Sequence, residues 1–225
     1  MTRRILSVAA LAFVLITTVL ARPGHATWVS SNCFDNALLD NGLKRADARA
    51  YAAYADHEGY EWGGGCWNND NRDDTPNAPD SGGEGPDCSG LVFKTWELPM
   101  TYGAQGFRHY NRLMNVHGPY VAQDFHSAGP NLPFHDLANK YRRSTLYMDG
   151  FASSVHVGLI WSDAVPSAGG DYIIEALGDL YGTNVNVENY RSDSRFLAVR
   201  REGWTADCSP RCPAAPRPAP LVTVG

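Results

Sequence analysis

The 225-residue chain has no excess of basic side chains: 19 lysines and arginines stand against 24 aspartates and glutamates, a formal net charge of −5. Because no surplus of cations is available for phosphates, this balance argues against a nucleic-acid-binding protein. The absence of heptads and of repeats of about 20–50 residues excludes coiled coils and solenoids. The chain has no HExxH motif and its histidines lack metal-ligand spacing, so we expect no metal and no other cofactor. Hydrophobic residues make up 44% of the chain, enough for the core of one domain.

Long apolar runs are also scarce, and the one that approaches the length of a membrane span lies at the N-terminus. In residues 1–26, Arg3 and Arg4 are followed by an apolar run and then by small residues before Thr27. This pattern predicts a cleaved secretory signal peptide, with a cut after Ala21 as a second position and an uncleaved membrane anchor as the alternative. We therefore expect a secreted protein, extracellular or in the cell wall, soluble and acidic, with no stable membrane association.

Cysteines are few and odd in number: Cys33, Cys66, Cys88, Cys208 and Cys212. Thiols of exported proteins tend to pair. Five cysteines leave at least one without a partner, and an unpaired thiol in a secreted protein is a candidate reactive group.

The pattern of apolar and turn-forming residues changes along the chain. A helix is predicted over residues 43–59, a long glycine-rich and aspartate-rich loop over 60–86 and a second helix over 88–98. Residues 102–143 are ambiguous, with short helices and loops expected. Short β-rich runs follow at 144–149, 153–162, 171–177, 182–187 and 195–201. Helices first and strands later predict an α+β domain with an antiparallel sheet.

Cys88 stands where an activated nucleophile is expected. Asp87 before it is a good helix N-cap, so Cys88 falls in the first turn of the second helix. There the backbone N–H groups and the helix dipole favour a thiolate. Gly90 allows another element to approach closely. The alternative is that Cys88 is a structural half-cystine.

His156 is the candidate base for this thiol. It lies in an apolar strand-like run, where an imidazole is costly to bury without a partner. Gly158, on the same side of the strand, leaves room beside the ring. The next run places Glu175 in an equally apolar setting, where a carboxylate could orient the imidazole. The alternative for His156 is a hydrogen-bonded histidine of the core.

Four motifs in this order resemble the NlpC/P60 family of cell-wall cysteine peptidases. They are residues 60–64 (YEWGG), 87–92 (DCSGLV), 156–160 (HVGLI) and 174–176 (IEA), and the resemblance spans about residues 43–201. It implies a papain-like α+β fold, in which a helix bearing the nucleophile packs on an antiparallel sheet bearing the histidine. By the same resemblance, Cys88 is the nucleophile, His156 the base and Glu175 the third polar residue.

The resemblance also implies roles around the nucleophile. Tyr60 matches a tyrosine that helps to form the oxyanion site with the backbone N–H of Cys88. Asp87 and Ser89 match positions that contribute to the substrate pocket. Trp62, beside the glycines, could stack on a sugar or a peptide, although packing is an equally good explanation.

The chain departs from the family pattern in several places. The loop over residues 65–86 and the region 101–143 are longer than usual, and no wall-binding repeat is present. Glu175 replaces the more usual His, Asn or Gln. Arg143 and Ser144 stand where a glycine–aspartate pair usually opens the preceding strand. The insertions would line or cover the cleft, so the substrate could differ from the family norm.

With Cys88 assigned to catalysis, four cysteines remain and three pairings are open. We prefer Cys33–Cys66, which would tie the N-terminal extension to the long loop, and Cys208–Cys212. The expected organisation is a signal peptide (1–26), an extension (27–42), a catalytic domain (43–204) and a proline-rich tail (205–225).

The predicted function is hydrolysis of amide bonds by a Cys–His–polar triad through a thioester. By resemblance, the bond lies in peptidoglycan stem peptides between D-Glu and the following diamino acid, and the partner is peptidoglycan or a muropeptide acted on by a monomer. One alternative is a secreted toxin or effector hydrolase with a substrate outside the wall. Another is a catalytically idle binding domain on the same scaffold.

Overall fold

The computed structural model describes Cys33 and residues 43–67, 85–100, 114–178 and 180–205. The predicted signal peptide, the extension apart from Cys33 and the tail from residue 206 lie outside these residues. Cys208 and Cys212, with their predicted disulfide, lie there as well. At the predicted boundary of the catalytic domain, Thr205 still forms an isolated β-bridge with Lys44.

The helices and a small hairpin form the first part of the fold. Helix α1 (Arg45–Ala52) continues into a 3-10 turn (Ala53–Ala55), and the predicted helix at the candidate nucleophile is α2 (Cys88–Thr95). Strands β1 (Gly65–Cys66) and β2 (Gly85–Pro86) pair antiparallel within the range that the sequence predicts as a long loop. The short helix α3 (Ala122–His126) follows. None of the described helices has the length and apolar character needed to cross a membrane.

The second part is a six-stranded antiparallel sheet. Its strands are β3 (Phe134–Asp136), β4 (Gly150–Ala152), β5 (Val157–Ile160), β6 (Asp171–Gly178), β7 (Gly182–Glu188) and β8 (Leu197–Arg201). They lie in the order β3-β8-β4-β5-β6-β7, and each neighbouring pair is antiparallel. The prediction of an α+β chain with an antiparallel sheet is confirmed.

Two local predictions are wrong. Residues 144–149 form turns instead of a strand, because the buried Asp149 carboxylate accepts a hydrogen bond from the Leu146 N–H and folds the chain back. The same carboxylate binds Arg45 and Arg200 at 2.7 and 2.6 Å. In the ambiguous region, Phe134–Asp136 pair with β8 as a strand, where the sequence favours short helices and loops.

Helix α2 lies at the centre of the core. Leu91, Val92, Phe93 and Trp96 are fully buried, and the helix packs against β5, β6 and α1. Tight packing on all sides leaves little freedom for a helix to shift. The first residue of α2 is therefore held in a fixed place relative to the sheet.

Candidate active site

Cys88 is the first residue of α2 and is partly exposed. The Asp87 carboxylate before it caps the helix by accepting a hydrogen bond from the Gly90 N–H at 2.7 Å. Cys33 and Cys66 form a disulfide, in agreement with the preferred pairing. Cys88 is the only free thiol among the described residues.

The loop before β1 lies directly on the start of this helix. A Cβ at Gly90 would come within 2.0 Å of the Gly64 carbonyl oxygen, so only glycine permits the approach. The Gly63 N–H also donates to Asp87 at 3.0 Å. These contacts place the residue 60–64 motif beside Cys88.

His156 faces Cys88 from the sheet. It lies one residue before β5 instead of within a strand, at the end of a tight turn closed by hydrogen bonds with Ser153. Its Nε2 lies 2.8 Å from Glu175 Oε2, and the Cys88 side chain is close enough for its hydrogen bonding and charge to raise the pKa of the ring. Because Nε2 faces the carboxylate, Nδ1 is the ring nitrogen that remains for the thiol.

Glu175 is fully buried on β6. Besides His156, its carboxylate accepts hydrogen bonds from Tyr190 Oη at 2.6 Å and from Asn186 Nδ2 at 3.3 Å. Gly158 provides the space: a Cβ there would lie 2.6 Å from Ile173 Cγ2 and 3.5 Å from the carboxylate oxygen. Three donors thus satisfy a buried charge that would otherwise be costly.

The environment stabilises the charged imidazole. Burial alone would lower the pKa of His156, but hydrogen bonds to Cys88 and Glu175 and the charges of both groups raise it to about 9. At neutral pH the ring is therefore an imidazolium. Burial, followed by the charge of Glu175, raises the pKa of Tyr190, so its hydroxyl remains a donor.

The remaining predicted site residues lie around the start of α2. Tyr60 is half-buried, and the Trp62 side chain is 65% exposed, which argues against its packing in the core. Asp87 and Ser89 are only 6% and 4% exposed. The Ser89 hydroxyl donates to Asp87 at 3.1 Å.

Sequence reasoning missed Asn186, Tyr190 and His117. A signal for Asn186 was present, because the alternation in residues 182–187 puts Asn184 and Asn186 on one face of a strand next to Glu175. Tyr190 and His117 lie in irregular segments, where no periodicity indicates which way a side chain points.

A pocket of about 670 Å³ opens beside His156. Its lining includes Ser153, Val155, Leu177, Tyr190, Arg195 and Phe196. None of the described residues that line it is a carboxylate. The pocket could hold part of a peptide beside His156, and Arg195, which lines it, pairs with Asp193 at 2.6 Å.

Within the described ranges, no three His, Cys, Asp or Glu side chains lie close enough together to hold a metal ion. Comparisons of the chain with protein-family models, curated proteins and solved structures found no match. The chemistry of the site therefore follows from its own residues: a thiol at a helix N-terminus, an imidazolium beside it and a buried carboxylate behind the ring.

Proposed function

We propose that the chain is a secreted cysteine hydrolase of amide bonds, of NlpC/P60 type with a papain-like arrangement of helix and sheet. The observation that carries the proposal is the place of His156 between the Cys88 side chain, which raises the pKa of the ring, and the buried Glu175 carboxylate, 2.8 Å from Nε2. A binding domain without catalytic activity would not need a thiol, an imidazole and a buried carboxylate aligned beside an open pocket.

The mechanism begins with the Cys88 thiolate and the His156 imidazolium. The sulfur attacks the carbonyl carbon of a peptide bond, and the oxyanion is held by backbone N–H groups at the start of α2 and by Tyr60. His156 gives its proton to the leaving amine as the C–N bond breaks, which leaves a thioester on Cys88. His156 then removes a proton from water as the water oxygen attacks the thioester carbon. The C–S bond breaks, the carboxylic acid leaves, and the Cys88 thiolate and the His156 imidazolium are restored.

Glu175 orients the ring through these steps. Its hydrogen bond to Nε2 fixes the tautomer, so that Nδ1 carries the proton exchanged with the thiol and the amine. Tyr190 and Asn186 hold the carboxylate in turn. Such supporting groups limit movement of the base, and misplacement of a base is costly for catalysis.

The proposed substrate is the peptidoglycan stem peptide, cleaved between D-Glu and the following diamino acid. The resemblance of the four motifs names this bond. The pocket beside His156 is compatible with it, since none of its described lining residues is a carboxylate that would repel the acidic groups of such a peptide. Secretion is supported by the N-terminal pattern and by the Cys33–Cys66 disulfide, which persists in an oxidising compartment.

Digestion of purified peptidoglycan and free muropeptides tests the proposal, with products identified by mass spectrometry. The matched variant is Cys88→Ala, which keeps the helix and removes the sulfur. We expect new stem-peptide fragments with the wild type alone, and their masses name the bond. Fragments from both proteins would end the proposed chemistry. If neither protein gives fragments but Cys88 is still alkylated readily, the substrate is not peptidoglycan, and the alternative of a secreted effector hydrolase is favoured.

A further inference from the structure

A second imidazole–carboxylate pair lies at the start of α2. His117 Nε2 is 2.6 Å from Ser89 Oγ and 3.2 Å from Asp87 Oδ2. Its Nδ1 lies 2.9 Å from the Gly118 carbonyl oxygen, so Nδ1 carries a proton and donates it. Both ring nitrogens are therefore engaged by the protein itself.

The position of His117 is fixed by close packing on the helix. Gly118 has φ +86°, and a Cβ there would lie 2.5 Å from the ring of Phe93 on α2. Only glycine allows the backbone to pass so near the helix in this conformation. The segment thus brings the His117 ring to the residues that begin α2.

Asp87 links His117 to two other elements. One carboxylate oxygen, Oδ1, caps α2 through the Gly90 N–H, and the other, Oδ2, accepts from the Gly63 N–H and faces His117. Gly63 belongs to the loop that carries Tyr60. A change in the Asp87 carboxylate would therefore affect both α2, which begins with Cys88, and the loop that carries Tyr60 and Gly63.

The arrangement depends on the proton at Nε2. When His117 is protonated, Nε2–H donates toward Ser89 and Asp87 while the Ser89 hydroxyl donates to Asp87. Without that proton, a ring lone pair faces the carboxylate, and the Ser89 hydroxyl has two acceptors for one hydrogen. Burial opposes the charged ring, but the hydrogen bond and charge of Asp87, with the Gly118 carbonyl, raise the pKa of His117.

Other charged groups near this cluster have partners of their own. Glu61, on the neighbouring loop, accepts a hydrogen bond from Asn115 at 2.6 Å. Lys94, on α2, donates to the Met114 carbonyl at 2.6 Å. Asp87 is the charged group that acts on the His117 pKa.

We propose that His117 is a positioning residue for Cys88: bound to Asp87 and Ser89, it holds the first turn of α2 against the loop of Tyr60 and Gly63. The inference rests on the proposed function, because it takes Cys88 as the nucleophile. His117 takes no part in proton transfer to the substrate. It fixes the direction of the thiol and of the backbone N–H groups that meet the oxyanion.

The test compares Cys88 alkylation by iodoacetamide in wild type, His117→Gln and His117→Ala across pH. His135→Gln is the matched control, since His135 is an exposed histidine on β3 bonded to Glu202. We expect alkylation to slow by about tenfold in the His117 variants below pH about 6.5, the loss of one charge-assisted hydrogen bond. The ratio of wild-type to variant rates should fall toward one as pH rises through the His117 pKa, because only the protonated ring can donate from Nε2 to Asp87.

Amide hydrogen exchange gives a second reading that needs no reactive thiol. We expect faster exchange at Gly63 and Gly90 in His117→Ala, and wild-type exchange in His135→Gln. An unreactive wild-type Cys88 would refute the proposed function, whereas unchanged protection of both amides in folded His117→Ala would refute the role of His117. If the alanine variant does not fold, an NMR titration of His117 that is not shifted downward by Asp87→Asn overturns the proposal.

Discussion

Two partly buried histidines touch consecutive residues of α2, and each is paired with a carboxylate. His156 contacts Cys88 and Glu175, and His117 contacts Ser89 and Asp87. In both pairs the carboxylate raises the imidazole pKa against the effect of burial.

The pairs differ in what the other ring nitrogen meets. In His117 it donates to the Gly118 carbonyl, so the ring is satisfied within the backbone. In His156 it is left for the thiol of Cys88, next to a pocket. Under the proposed function, the ring nitrogen directed at Cys88 distinguishes the catalytic pair from the pair at His117, which only positions the helix.

Replacement of His156 should have the largest effect on kcat and should separate the two histidines most clearly. We expect His156→Gln to lower kcat by about 10³-fold, because the general base and acid is lost. His117→Gln should cost far less at the same pH, about tenfold. Steady-state kinetics on the muropeptide substrate measure both. Equal losses from the two substitutions would contradict the assignment of different roles.

Glu175→Gln should make the difference between the two histidines clearer, because it removes the negative charge beside the His156 ring. The raised pKa of His156 means that the imidazolium is fully present below about pH 6.5 and is lost as pH rises through about 9. Without the Glu175 charge this pKa falls, so the high-pH limb of kcat/KM should move to lower pH. We expect kcat to drop by about 10–100-fold.

The control for that profile is Glu202→Gln, which removes an exposed carboxylate that pairs with His135 of β3. This substitution should leave the high-pH limb close to its wild-type position. A high-pH limb that stays in place in Glu175→Gln would show that the carboxylate does not set the charge of the ring.

Gly158→Ala tests the space that admits the Glu175 carboxylate. The added Cβ would meet Ile173 Cγ2 at 2.6 Å inside the sheet, so we expect a loss of about 1–3 kcal/mol in the free energy of unfolding. Gly129→Ala is the matched control, because a Cβ at Gly129 would meet no heavy atom within 4 Å. Chemical denaturation of the two variants measures the difference. Equal stability would mean that β5 and β6 adjust freely.

Tyr190→Phe should have the smallest effect. It removes the hydrogen bond to Glu175 and keeps the ring stacked on Phe196, with ring centroids 3.9 Å apart. We expect kcat to fall by about three- to tenfold, the net value of a typical hydrogen bond, because His156 and Asn186 still hold the carboxylate. Tyr181→Phe, on the exposed β6–β7 turn, is the control and should behave as wild type. A Tyr190→Phe variant with unchanged kcat would remove Tyr190 from the support of the site.

The sequence predicted the site better on the sheet side than on the loop side. Cys88 and Glu175 were singled out because a capped helix start and a charge in an apolar strand are local signals, and the structure places both beside His156. Asn186 could have been found from strand alternation. His117 and Tyr190 could not, since long-range packing, such as Gly118 against Phe93, brings them to the site. The turn at Asp149 was missed for the same reason: its buried arginine partners come from α1 and β8.

The pH dependence of Cys88 alkylation by iodoacetamide, in wild type and in His156→Gln, tests the central claim most directly. The claim is that Cys88 reacts as a thiolate paired with the His156 imidazolium. It predicts that the wild type is alkylated clearly faster than His156→Gln near neutral pH, where the His156 imidazolium is present. Identical rates for the two proteins across the pH range would contradict it.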